Sequence, residues 1–141
     1  MESHPFYKTI EHTADIGIEV AAPDKAGIFT SSALAMFDLM FGLAAIAPKE
    51  KRLIKVQGET AEELLVAWLN EVLYLCAVDK LAFSRFTDPQ LGRDSFSAWG
   101  WGQRIDPAVQ VPEMEIKAAT YHGLCFRQTD HGWTARIIFD V

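Results

Sequence analysis

Cysteine is scarce. Cys76 and Cys125 are the only two in 141 residues, and their separation fits neither a disulfide framework nor a zinc knuckle. Reduced thiols in a cytoplasmic protein are the expectation that follows. Also missing are a G-x-G-x-x-G loop, a phosphate loop ending in Gly-Lys-Ser or Gly-Lys-Thr, and an H-E-x-x-H helix, which removes the common nucleotide-binding and zinc-protease machinery. The first residues, Met1-Glu2-Ser3-His4-Pro5, have neither the basic start nor the apolar stretch of a signal peptide. Long apolar runs are absent too: the longest, Leu39 to Ala47 counting Gly42, is too short to span a bilayer. No membrane partner is expected. Thirteen Lys and Arg face nineteen Asp and Glu, leaving a net charge of −6. A polyanion is bound by clustered cations, so no direct nucleic-acid binding is expected. The densest basic stretch, Lys49, Lys51, Arg52 and Lys55, leads into an apolar alternation and reads as the solvated start of a strand. With only nine glycines and six prolines, the chain is not of disordered or fibrous type.

What is present is apolar surface. Half of the residues are hydrophobic and 11% are aromatic, enough for one domain, residues 1–141, around a single core. From Phe6 to Val20 the residues Ile10, His12, Ala14, Ile16, Ile18 and Val20 share one parity, which reads as a half-buried strand. Pro23-Asp24 opens a helix to about Phe41, ending near Gly42. Its apolar residues occupy more than one stripe, implying two-sided burial or a docking face. Leu53 to Val56 reads as a short strand. Thr60-Ala61-Glu62-Glu63 has the form of a capping box, and Leu65, Trp68, Leu69, Val72, Leu75 and Cys76 carry a second helix to about Val78.

Beyond Asp79 the helical period gives way. Leu81 to Phe86 and Phe96 to Trp101 read as strands separated by the turn-rich Thr87 to Gly92. At the C-terminal side His122 to Gln128 and Trp133 to Val141 flank Asp130-His131-Gly132, a hairpin with one left-handed residue. Strands and helices in this order indicate an α+β fold, a mainly antiparallel sheet with the two helices packed on one face.

Chemistry-bearing residues are few. Cys125 and His122 stand three apart in an extended segment, on opposite faces and unsuited to a local dyad; both cysteines read as buried thiols. Asp15 and Asp140 stand out because an Asp in an apolar strand must be paired, solvated or metal-bound. Where Val141 ends the chain, Asp140 and Val141 add a carbonyl and a terminal carboxylate. Such hard oxygen donors suit Ca²⁺, Mg²⁺ or Mn²⁺. Either a shared divalent site or two solvated strand-end carboxylates fits this pattern, and His12 alone reads as a structural histidine.

Four segments carry a family resemblance: His12-Thr13-Ala14-Asp15-Ile16-Gly17, Trp68-Leu69-Asn70-Glu71, Lys117-Ala118-Ala119-Thr120-Tyr121-His122-Gly123-Leu124 and Ile138-Phe139-Asp140-Val141. In identity, order and chain length they resemble the archease family. The resemblance implies a small SHS2-type α+β protein that is not an enzyme but an activator of the RtcB-type RNA ligase of tRNA splicing. Such proteins promote guanylylation of the ligase histidine and repeated turnover. It also implies a divalent metal site on Asp15, Asp140 and Val141. A second reading is a chaperone-like partner of RNA-modifying enzymes such as RNA methyltransferases. A third makes Asp15 and Asp140 a metal-assisted hydrolytic centre, for which only His12 or His122 could serve as a base.

Overall fold

The computed structural model describes residues 6–12 and 15–141, apart from the side chains of Glu11 and His12. Elements run in the order β1 (Tyr7–His12), β2 (Asp15–Ala22), α1 (Lys25–Phe41), a 3₁₀ turn (Leu43–Ala45), β3 (Glu50–Gln57), α2 (Ala61–Asp79), β4 (Leu81–Leu91), β5 (Ser95–Arg104), β6 (Ala118–Ala119), β7 (Cys125–Thr129) and β8 (Gly132–Asp140). Every strand pairing is antiparallel.

The first alternation is a hairpin, not one strand. His12 pairs with Asp15, Ile10 with Gly17 and Tyr7 with Val20, so paired numbers sum to an odd value and parity flips between the two strands. Tyr7, Ile18 and Val20 therefore share the core face, while Ile10 lies opposite Gly17 on the other. Gly17 is required there, because a Cβ would stand 2.7 Å from Ile138 Cδ1.

Two sheets result. The larger has the order β1-β2-β8-β6, with β7 also on β8; the smaller is β3-β5-β4. In β8 one edge is filled by β2, while the other is divided between β7 near its start and β6 at its end. The loop joining β7 to β8 holds only Asp130 and His131, and Gly132 follows at φ 141°, where a Cβ would meet the Ala22 carbonyl oxygen.

Both helices start at side-chain caps. Asp24 accepts the Gly27 N–H at 2.8 Å, and Thr60 Oγ1 accepts the Glu63 N–H at 3.1 Å. The Glu63 carboxylate reaches back to the Glu59 N–H at 3.1 Å, one residue before the position a standard capping box would satisfy. Helix α1 packs against β2 and β8 of one sheet, β4 of the other, and α2. Two-sided burial thus accounts for its broad apolar surface: Ile28, Phe29, Ala33, Ala35, Met36 and Phe37 have no exposed area. Trp68 fills the centre of α2, fully buried. Its Nε1 donates to the Phe29 carbonyl at 2.9 Å, and its ring meets Phe96 and Phe86 edge-on.

The β4–β5 hairpin is longer than its sequence signals. Asp88 and Pro89, read as a turn, lie within β4 at a register shift between Thr87 and Gln90, with Asp88 at φ 52°. A bulge accommodates a proline that a regular ladder would exclude. No helix among the described residues is long and apolar enough to cross a membrane.

Candidate metal centre

Asp15 begins β2 and Asp140 ends β8, and the antiparallel register sets them directly opposite each other. Residues so opposed project to the same face with Cβ atoms about 5 Å apart. The row extends in both directions, since His12 of β1 pairs with Asp15 and Ala118 of β6 pairs with Asp140. Residues far apart in sequence, 12 and 15, 118 and 140, therefore meet along one line at one end of the larger sheet. Thr13 and Ala14, between the paired His12 and Asp15, lie outside the described residues.

Asp15 is half-buried, whereas Asp140 and Val141 are exposed. The Asp140 carbonyl accepts the Lys117 N–H at 2.8 Å, which fixes the last residue of β8 and leaves its carboxylate as the available donor group. Among the described residues no group of three or more His, Cys, Asp and Glu side chains gathers. Asp15 and Asp140 stand opposed in the register, and carboxylate oxygens are donors of the kind Ca²⁺, Mg²⁺ and Mn²⁺ take.

A residue of α2 braces the β6 segment that runs beside Asp140. Asn70 of α2 donates from Nδ2 to the Ala119 carbonyl at 3.1 Å and accepts the Ala119 N–H at 2.8 Å through Oδ1. Its amide thus completes the free edge of β6 as a neighbouring strand would. The other edge of that segment is tied to β8 through Lys117 N–H to Asp140 O and Thr120 N–H to Ile138 O. A signal for this role exists in the sequence: a lone amide among apolar helical positions needs a partner.

His122 and Cys125 do not join the site as a dyad. Cys125 is exposed, contrary to the expectation of two buried thiols, because β7 presents it beside Arg136 on the outward face. Cys76 is largely covered, and burial pushes its thiol up to about 11, with Lys80 pulling weakly the other way.

Next to the site, but not containing Asp15 or Asp140, lies an apolar groove of about 680 Å³ between the end of α1, α2 and residues 105–117. Asn70 and Lys117 line it, so the clamp on β6 also forms part of the groove wall.

The family model described as the Archease protein family (MTH1598/TM1083) matches residues 7–141. The chain belongs to the archease family. A protein archease of Methanosarcina barkeri is 34% identical over 139 residues, covering 96% of this chain and 95% of the relative. That of Pyrococcus furiosus is 34% identical over 135 residues, covering 93% and 95%. The solution structure of Methanobacterium thermoautotrophicum protein 1598 is similar with a TM-score of 0.82 and 27% identity, over 96% of this chain and 98% of that one. A crystal structure from Thermotoga maritima, described as an archease and possible chaperone, shares the fold at a TM-score of 0.63 and 23% identity over 98% and 99%. The archease fold is thus the α+β arrangement of two helices and antiparallel sheets seen here.

Proposed function

We propose that this archease-family protein activates an RtcB-type RNA ligase, promoting guanylylation of the ligase histidine and multiple turnover, and does not itself catalyse a reaction. The observation that carries the reading is the opposition of Asp15 and Asp140 in a chain that matches the family from end to end. Asp15, Asp140 and Val141 would hold a divalent ion, Ca²⁺, Mg²⁺ or Mn²⁺. Bound there, the ion supplies a fixed positive charge at the tip of an acidic protein. The chain's own residues do the rest. Asn70 and the β6 segment hold Asp140 in register, and the net charge of −6 favours approach to a basic, RNA-binding enzyme. A cytoplasmic setting agrees with the two free cysteines.

The test is RNA joining with the ligase limiting and a 3′-phosphate and a 5′-hydroxyl RNA in excess. Joined product should exceed one per ligase only when this protein is added, and product held at or below one per ligase sinks the proposal. The chaperone-like reading draws on the relative described as a possible chaperone. It is favoured instead if an RNA methyltransferase, and no ligase, gains activity or solubility on addition.

A further inference from the structure

We propose that the outward face of the β3-β5-β4 sheet binds single-stranded RNA, stacking bases on Trp99 and Trp101 and placing phosphates against Lys51, Lys55 and Arg85. The surface lies on a different sheet from Asp15 and Asp140. The choice of RNA over DNA rests on the ligase-partner reading; the site itself does not.

The alternation of β5 carries the argument. Gly100 and Gly102 point inward, where a Cβ would stand 2.7 Å from the Phe83 ring or against the Ala82 carbonyl. Core packing therefore dictates the glycines. It does not dictate the two indoles, which point outward and are partly covered, while Leu53 beside Trp99 is 52% exposed. Two indoles and an exposed leucine gathered on an outward sheet face offer apolar surface to a ligand. The strand is central, so the indoles are flanked on both sides: Trp101 lies between Lys51 and Arg85, and Trp99 between Leu53 and Thr87.

Cations already occupy the ring faces. The Lys51 ammonium stands 4.7 Å from the Trp99 ring centre and 5.5 Å from that of Trp101, and the Arg85 guanidinium stands 5.8 Å from Trp101. Trp101 is fixed by its Nε1 donating to Thr87 Oγ1 at 2.9 Å, so one platform is set before any ligand arrives. Lys55 extends the basic line along β3 on the same face as Lys51.

Residues two apart on a strand are spaced roughly 7 Å, about twice the rise between stacked bases, so each indole can take one of two successive unstacked bases. Aromatic residues two apart on a central strand, beside basic side chains, are how sheet-faced RNA-binding modules hold single strands. A base on Trp99 takes the ring face that Lys51 now covers and leaves the ammonium for a phosphate. No acidic residue pairs directly with Trp99 or Trp101; Glu50 pairs with Gly102 one row on, at the parity of the opposite face, and Asp88 and Asp94 belong to the bulge and the far turn. The whole-chain charge of −6 predicts no nucleic-acid contact because a sum over the molecule does not register one basic, aromatic face.

The experiment is fluorescence anisotropy of a labelled oligouridine with the full-length chain, and no ligase present. Saturable binding is expected, with a slope of log K against log salt of about −2 for three phosphate contacts. Trp99→Ala and Trp101→Ala should each weaken binding about tenfold, while Trp99→Phe should retain most of it. Should an alanine variant unfold, Lys51→Gln and Lys55→Gln provide the reading, each flattening the salt slope by about 0.7. The proposal is overturned by absent binding, by variants that bind like the parent chain, or by tighter binding of oligothymidine or of duplex RNA. A dimer in sedimentation that Trp99→Ala dissolves would overturn it as well. Because no ligase is involved, failed activation leaves this result standing, and successful activation without RNA binding defeats this inference alone.

Discussion

Replacing Asn70 by Ala should loosen the β6 segment and with it Asp140. Two hydrogen bonds to Ala119 are lost, at 3.1 and 2.8 Å, each contributing about 1 kcal/mol net. Ala119 is only 4% exposed, so water re-satisfies its N–H and carbonyl poorly, and the combined cost should reach about 2–3 kcal/mol. For a chain of this size that lowers Tm by roughly 10 °C. Divalent-ion affinity should fall with it, although Asn70 is no ligand.

Asn70→Asp separates the two bonds. An ionised carboxylate still accepts the Ala119 N–H but stands oxygen to oxygen against the carbonyl, which disfavours the charged form and raises the pKa of the introduced group. A raised folded-state pKa means that the native state holds the proton longer than the unfolded one. The deficit relative to the parent chain should therefore be smallest below about pH 4 and grow as pH rises. Urea midpoints of the three proteins at pH 4 and pH 7, with hydrogen exchange at Ala119, make the comparison. A loss under 0.5 kcal/mol for Asn70→Ala (surface-like by the usual scale), or a deficit for Asn70→Asp that ignores pH, would refute the clamp.

Trp68→Ala and Phe37→Ala should each cost about 3–5 kcal/mol, because both side chains are fully buried, and unchanged denaturation midpoints would remove them from the core. The Tyr7 hydroxyl donates to Asp38 at 2.7 Å, and burial, then the bond and charge of Asp38, push its pKa well above 10. That stabilisation is complete below pH 10 and drains away as pH rises beyond it, so Tm should drop more steeply above pH 10 in the parent chain than in Tyr7→Phe. Alkylation at pH 8 followed by mass spectrometry should label exposed Cys125 well before Cys76, whose thiol is pushed up to about 11; the reverse order would contradict the burial assigned to Cys76.

The helices were readable because their caps are local: Asp24 and Thr60 announce them, and the bonds form within three residues. The change of direction between β1 and β2 was not. Thr13-Ala14 contains no Gly, Pro, Asn or Asp, so the parity change between Ile10 and Ile16 left no trace in composition. The bulge at Asp88-Pro89 misled in the opposite sense, because residues that commonly mark turns sit inside a strand. In β6, two residues are too few to display any period, and their place is set by Asn70 and β8, which are distant in sequence. Asp15 and Asp140 stood out as charges in apolar strands, yet their opposition depends on the register of the first hairpin against the last, a long-range property. Division of the strands into two sheets is likewise set by packing around α1.

The most direct test of the account is the single-turnover rate of ligase–GMP formation from labelled GTP. It is measured with the cognate ligase alone, with this protein added, and with Asp15→Ala or Asp140→Ala in its place. The account predicts faster labelling of the ligase on addition of the parent chain, no label on this protein, and loss of most of the acceleration in both variants while their folds remain intact. Label appearing on this chain, or acceleration undiminished in folded Asp140→Ala, would contradict it.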